Sequence, residues 1–259
     1  MTVCEKYNTR AAPWHEAVEA VRLIGRLWPS VCVLCRRAGA RDIDLCDACL
    51  ACLPRLAGGG DALCARCGER LHGRHAVSGA EVCGSCAARS SPFSRLVVPW
   101  RYDFPLDRLI ARMKYHDERV LARVFGTALA REACRDLPAT RRPDVLLAVP
   151  SRAARRDSGF DHAAALARWC ARECRLVDAS GLATRIVDTG SLAGLSRAER
   201  ADRIRGAFRA DARVADLRIA IVDDVLTSGA TAGELARELY DTGAAAVELW
   251  VLARTPADR

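Results

Sequence analysis

Lysine is almost missing from this chain: Lys6 and Lys114 are the exceptions in a set of 40 basic residues otherwise made of arginine. Aromatic residues are scarce, at 5%, which argues against a surface built mainly from base-stacking platforms. No run of about 18 apolar residues occurs, so nothing in the sequence reads as a membrane-spanning helix. Glu5, Lys6, Arg10, Glu16 and Glu19 crowd the first twenty residues and leave no place for the apolar segment of a signal peptide. A cytoplasmic address is therefore the expectation. What remains is a chain of 259 residues, 51% hydrophobic and 28% charged, the balance of a soluble globular protein. Its excess of 40 basic over 32 acidic residues gives +8. The arginines supply forked donors suited to phosphate and carboxylate, yet +8 over this length also fits an arginine-rich surface without a partner.

Thirteen cysteines are out of place in a reducing compartment, where disulfides are rare and cysteine clusters hold metal. Eight of them form four Cys-x-x-Cys pairs: Cys32/Cys35, Cys46/Cys49, Cys64/Cys67 and Cys83/Cys86. Each pair turns two thiolates toward one ion, and two pairs complete a tetrahedral zinc site, so two structural Zn2+ ions are expected. The sequence between pairs is rich in Gly, Arg and Ala and too poor in large apolar side chains to fold without metal. Cys32/Cys35 with Cys46/Cys49, and Cys64/Cys67 with Cys83/Cys86, is the simplest pairing; a cross-braced arrangement uses the same eight ligands. Cys4, Cys52, Cys134, Cys170 and Cys174 lack a partner at ligand spacing, and Cys170 and Cys174 share a helical face as small core residues. His72 and His75 read as solvated loop residues. Ala17 to Trp28 has the apolar spacing of a short amphipathic helix ended by Pro29. Pro54 to Asp61, with Gly58-Gly59-Gly60, reads as a hinge, and Ser90-Ser91-Pro92 as a boundary. The expected division is an N-terminal helix in 1–30, a double zinc ribbon in 31–90 and a larger domain in 91–259.

From Leu96 onward strands and helices alternate. Strands are expected at 96–102, 144–149, 182–185, 218–225 and 247–253. Helices are expected at 106–115, 120–135, 163–174, 196–205 and 231–242. Such alternation implies an α/β fold, a parallel sheet flanked by helices, with ligands at the carboxyl ends of its strands. Lys114, near the end of one helix, reads as a helix-surface lysine in preference to a phosphate contact. Arg197, Arg200 and Arg203 share a face of the charged helix, which reads as solvated in preference to a nucleic-acid contact.

The chemical centre is the string that begins in the 218–225 strand. Asp223 and Asp224 bring two carboxylates to the sheet edge, and Thr227-Ser228-Gly229-Ala230-Thr231 opens the next helix. Hydroxyls and backbone N–H groups there, with Gly229 permitting close approach, make a nest for a phosphate. Carboxylates just ahead of such a nest suit a sugar phosphate, accepting from ribose hydroxyls. The cations Arg152, Arg155 and Arg156 follow another buried strand, where an anion would lie, with solvated surface cations as the alternative reading.

Val222 to Thr231 resembles the phosphoribosyl pyrophosphate (PRPP) motif of the type I phosphoribosyltransferases. The chain from about residue 23 to 254 resembles the ComF family, also called ComFC, of competence-associated proteins. The resemblance rests on Leu27-Trp28-Pro29 running into the cysteine pairs, Met113-Lys114-Tyr115, and Val149-Pro150 with a basic loop and Gly159-Phe160. It continues through Leu195-Ser196 with Glu199-Arg200, and Gly206-Ala207-Phe208. It implies a type I phosphoribosyltransferase-like sheet behind a double zinc ribbon. It implies ribose and Mg2+ at Asp223 and Asp224, the 5-phosphate at Thr227 to Thr231, and pyrophosphate at Ser151 and Arg152. Asp223, Asp224 and Arg152 would be its catalytic groups. It also implies partners in DNA uptake, single-stranded DNA or a helicase, with a non-catalytic binding protein as the alternative to an enzyme. The chain departs from the family pattern at Ser158-Gly159-Phe160-Asp161-His162, where Arg-Gly-Phe-Asn-Gln is usual. Leu192 replaces a Gln and Arg203 an Asn, which puts the acceptor site and turnover in question.

Overall fold

The computed structural model describes residues 30–39, 43–56, 62–71, 75–77, 80–88, 91–116, 118–135, 137–151, 160–190 and 194–255. The expected helix at 17–28, the glycines of the hinge, His72, the basic loop with Arg152, Arg155 and Arg156, and Leu192 lie outside those residues. Two compact units divide the chain, Met1–Cys52 and Leu53–Arg259.

In the first unit a bridge between Val31 and Ala38 closes the Cys32–Cys35 turn. Ile43 and Leu45 are buried beside it, and the short helix α1 (Asp47–Ala51) starts on Cys46, whose sulfur accepts from the Cys49 N–H.

The second unit opens with a like turn, bridged from Leu63 to Arg70. An antiparallel hairpin of β1 (His75–Val77) and β2 (Ala80–Val82) follows, then the one-turn helix α2 (Gly84–Ala87). His75 thus opens a strand and is not a loop residue. Pro54 to Leu56 is pinned, not free: the Leu56 N–H donates to Pro99 and the Arg101 N–H to Pro54. The strand expected at 96–102 is split into β3 (Arg95–Val97) and β4 (Trp100–Arg101). Pro99, with no N–H to give the ladder, lies between them.

The remaining elements are α3 (Leu106–Tyr115), α4 (Arg119–Cys134), β5 (Val145–Ala148), α5 (His162–Cys174) and β6 (Val177–Asp178). They continue as β7 (Ala183–Arg185), α6 (Arg197–Ile204), β8 (Phe208–Ala210), β9 (Arg218–Leu226), α7 (Ala230–Asp241) and β10 (Ala246–Arg254). The expected α/β alternation is thus present, and the main sheet is parallel throughout. Its order is β3-β10-β9-β5-β6, with β4 also on β10. The β5 residues are all buried, as are Ile219 to Val222 of β9 and Val247 to Arg254 of β10. That accounts for their continuous apolar runs, since a parallel sheet is covered on both faces. Helices α4 and α5 pack together and cover β5, β9 and β10 on one face. Helix α7, with α6 and β8 against it, covers the other.

Strand order positions the site. From β5 the chain crosses to β6 on one side, whereas from β9 it crosses to β10 on the other. The carboxyl ends of β5 and β9 therefore border the crevice where open parallel sheets take their ligands. β5 pairs with β9 only as far as Ala148 and Val222, while β10 follows β9 to Leu226. Residues Asp223 to Leu226 thus have a strand neighbour on one side and the crevice on the other.

Candidate functional site

The four sulfurs of Cys32, Cys35, Cys46 and Cys49 lie within 4.8 Å of one another, and so do those of Cys64, Cys67, Cys83 and Cys86. The sequential pairing is therefore the one the fold builds. Sulfurs of Cys35 and Cys46 are 3.6 Å apart, and those of Cys67 and Cys83 are 3.8 Å apart. Zn–S bonds of about 2.3 Å at tetrahedral angles place ligand sulfurs roughly 3.8 Å apart, so both clusters fit zinc. Their electrostatics fit as well. Burial pushes Cys32 up, but the N–H groups of Cys35, Cys46 and Leu34 outweigh it and bring the thiol to about 6. Burial and the other thiols push Cys49 well above the usual range. In the second cluster burial opposes ionisation of Cys83, but the Ser85 hydroxyl and the Cys86 N–H bring it to about 6. Cys86 is pushed up to about 11, first by burial. Each cluster alone thus divides into thiolate and thiol, and a divalent cation would take the place of the remaining protons.

At the crevice, the strand pleat decides what the two acidic residues do. Neighbours on a strand point to opposite faces. Asp223 and Val225 lie on the α7 face and line a cavity of about 40 Å³ with Thr227, Gly229, Ala230 and Thr231. Asp224 points to the other face, is only 7% exposed, and accepts a 2.8 Å hydrogen bond from the Lys114 ammonium of α3. Lys114 is consequently no solvated surface lysine; its side chain is 18% exposed. An Asp223 carboxylate oxygen also accepts from the Asp224 N–H at 2.8 Å. The fold therefore brings Asp223 together with the turn and assigns Asp224 to an ion pair behind it.

Gly229 is the N-cap of α7 with φ +77, a conformation that costs a side-chain-bearing residue about 1–2 kcal/mol. A Cβ there would meet nothing nearer than the Leu226 side chain at 3.5 Å, so the demand comes from the backbone, not from crowding. The first N–H groups of α7, which have no partner within the helix, follow this turn. Ser228 bonds locally instead, its hydroxyl accepting from the Ala230 N–H at 3.4 Å. Ser151 is half-buried, three residues past the end of β5. Asp161 caps α5, accepting from the Ala164 N–H at 3.0 Å, so its carboxylate is engaged in holding the helix.

Arg254, at the end of β10, is missing from any motif yet joins the second cysteine cluster to this turn. Its guanidinium donates to the carbonyls of Leu226, Thr227, Thr255 and Cys67 at 2.6–3.0 Å and to Glu69 at 2.8 Å. The side chain is 4% exposed. Gly68, at φ +70, sits so close to Val98 that a Cβ would approach it to 3.0 Å. The β7–α6–β8 segment is anchored on α7: Glu234 accepts from the Gly206 N–H at 2.6 Å and Glu238 from the Ala210 N–H at 3.1 Å. A Ser196–Glu199 capping box starts α6, and Arg203 is exposed on it.

A pair of four-cysteine clusters, one set against a parallel α/β sheet with a glycine turn at its switch point, defines a zinc-ribbon protein with a parallel α/β domain. The double zinc ribbon domain family matches residues 23–88. The DNA utilization protein YhgH of Escherichia coli K12 is 31% identical over 231 residues, covering 88% of this chain and 98% of that protein. Competence protein F of Haemophilus influenzae is 28% identical over 202 residues, covering 74% and 84%. The chain belongs to the ComF/YhgH family. A glutamine PRPP amidotransferase from B. subtilis, complexed with ADP and GMP, aligns at a TM-score of 0.34 and 20% identity over 50% of this chain and 25% of that one. That likeness is too slight to add to the account of the site. No helix among the described residues is long and apolar enough to cross a membrane.

Proposed function

We propose that this chain binds PRPP, as its magnesium complex, at the carboxyl ends of β5 and β9, and transfers its phosphoribosyl group to a nitrogenous base or related amine. The observation that carries the reading is the turn at 227–231, which brings a left-handed glycine and the start of α7 to the concavity that Asp223 lines. In this reading the 5-phosphate rests on the N–H groups and hydroxyls of Thr227 to Thr231. Asp223 accepts from the ribose hydroxyls, and Asp224 keeps its position through Lys114. Ser151 and Arg152 face the pyrophosphate, and Asp223 is the carboxylate that would hold Mg2+, which would supply charge neutralisation there. As the anomeric C–O bond breaks, Asp223 stabilises the cationic sugar and Arg152 the departing pyrophosphate, an electrostatic contribution. Among the described residues no side chain at the turn is an evident general base, so the acceptor nitrogen would lose its proton to solvent.

A second reading has support in the names of the relatives, DNA utilization and competence. There the zinc ribbons of 31–90 contact single-stranded DNA or a DNA-uptake helicase in the cytoplasm, and PRPP bound in 91–259 is a regulatory ligand. Titration calorimetry of PRPP with Mg2+ into the zinc-loaded protein tests what both share. Saturable binding, lost in Asp223→Asn, is expected; no heat from the folded, zinc-replete protein overturns the enzyme reading. Pyrophosphate release with a base then separates the two, since a binding protein releases none.

A further inference from the structure

Two thiols that the sequence leaves without partners meet in the fold. Helices α4 and α5 run side by side at unusually close range, because Gly126 lies where a Cβ would fall 2.7 Å from Trp169 and 2.9 Å from the Leu166 carbonyl. At this approach the Cys170 thiol donates to the Gly126 carbonyl at 3.1 Å, and one turn on Cys174 faces the Ala130 carbonyl at 3.8 Å. At the ends of both helices Cys134 and Cys174 come within 2.8 Å, sulfur to sulfur. This is well inside the 3.6 and 3.8 Å separations within the metal clusters. A cavity of about 340 Å³ is lined by both cysteines together with Arg131, Arg142, Glu173 and Arg175. Cys134 is half-buried and reachable, whereas Cys174 is buried.

We propose that Cys134 and Cys174 are a reversible dithiol–disulfide site, oxidised by a peroxide and distinct from both zinc clusters and from the phosphate turn. The two sulfurs are not equivalent. The hydrogen bond from Cys174 lowers Cys134 most, burial opposes it, and Arg142 and Arg95 help against Glu248, so that Cys134 comes to about 7. Cys174 is driven far up by the same hydrogen bond and by burial. Cys134 is therefore the attacking thiolate and Cys174 the resolving thiol. The Cys134 thiolate attacks one oxygen of hydrogen peroxide; the O–O bond breaks and hydroxide leaves, giving a sulfenic acid. The Cys174 sulfur then attacks the Cys134 sulfur, the S–O bond breaks, and the hydroxyl departs with the Cys174 proton as water. Two thiols and one peroxide yield one disulfide and two waters. A dithiol reductant reverses it by exchange. Such transient pairs are the form disulfides take in reducing compartments.

The test uses the full zinc-loaded chain. After peroxide, digestion by trypsin without reduction is expected to give residues 132–135 linked to 173–175, a species abolished by dithiothreitol. Cys170 falls in 169–172, so it cannot be confused with Cys174. Separate recovery of the two peptides, or Cys134 over-oxidised with no link, overturns the proposal. A second measurement does not depend on the disulfide. The pH profile of Cys134 alkylation by iodoacetamide should have its midpoint near 7. It should move upward, with at least a roughly tenfold slower rate at pH 7, in Cys174→Ala. An unmoved midpoint shows that Cys174 does not act on Cys134.

Discussion

Replacing Arg254 by Met should loosen the second zinc cluster and the turn at 227–231 together. The guanidinium is 4% exposed and donates to four backbone carbonyls and to the Glu69 carboxylate. Met fills much of the same volume but offers no donor, so the carbonyls of Cys67, Leu226 and Thr227 are left to find water at a buried junction. Removing one member of a buried ion pair costs about 3–5 kcal/mol. Glu69 is 27% exposed and can rehydrate, so the lower end, about 3 kcal/mol, is the expected loss. Through an opening equilibrium that corresponds to roughly 10²-fold more open junction. Zinc release to a colorimetric chelator reads it directly. One of two ions should leave up to about a hundredfold faster, while the ion of Cys32, Cys35, Cys46 and Cys49 keeps its rate. Urea unfolding of the larger unit should shift in parallel. Arg254→Lys, which keeps the charge but not the fork, should fall between. Two unchanged release rates with an unchanged urea midpoint would refute the reasoning.

Metal analysis should find two zinc ions per chain, with Cys35→Ser and Cys86→Ser each reducing the count to about one. Gly229→Ala should lower stability by about 1 kcal/mol through backbone strain alone and weaken PRPP binding; unchanged affinity would place the phosphate elsewhere. Lys114→Met should destabilise by about 3 kcal/mol because it strands the buried Asp224 carboxylate. Asp224→Asn in that background should recover part of the loss, and additive effects in this double-mutant cycle would contradict the ion pair. Acid should detach the β7–α6–β8 segment from α7. Burial pushes Glu234 up, but the Arg237 guanidinium and the Gly206 N–H outweigh it and hold its carboxyl below the usual range. Because the folded value is depressed, this anchoring is fully present above the ordinary glutamate range. It is lost as pH falls through the depressed value. The protection of the Gly206 amide, its exchange taken relative to the intrinsic rate at each pH, should therefore fall on acidification, and Glu234→Gln should flatten that dependence.

Much of the chain was legible because the relevant signals are local. Cys-x-x-Cys turns fix two ligands within four residues. Strand β5 and helix α3 were read within a residue or two because buried parallel strands and amphipathic helices impose their own periods. Reading failed where a local feature has a distant cause. Pro99 splits a strand whose apolar run looks continuous. Pro54 to Leu56 looks like a linker until its hydrogen bonds to Pro99 and Arg101 are seen. The two acids at 223 and 224 look like a pair, yet the pleat sends them to opposite faces.

By itself the sequence determined the two sets of metal ligands, the alternation that makes a parallel sheet, and the glycine turn that starts helix α7. Each depends on residues a few positions apart, whose geometry the backbone imposes. Only the tertiary structure decided which groups face one another across long separations. Lys114 meets Asp224 over 110 residues, Arg254 meets Cys67 over 187, and Cys134 meets Cys174 over 40. Those meetings follow from strand order and from a glycine that lets two helices approach, and neither leaves a spacing in the chain to be read.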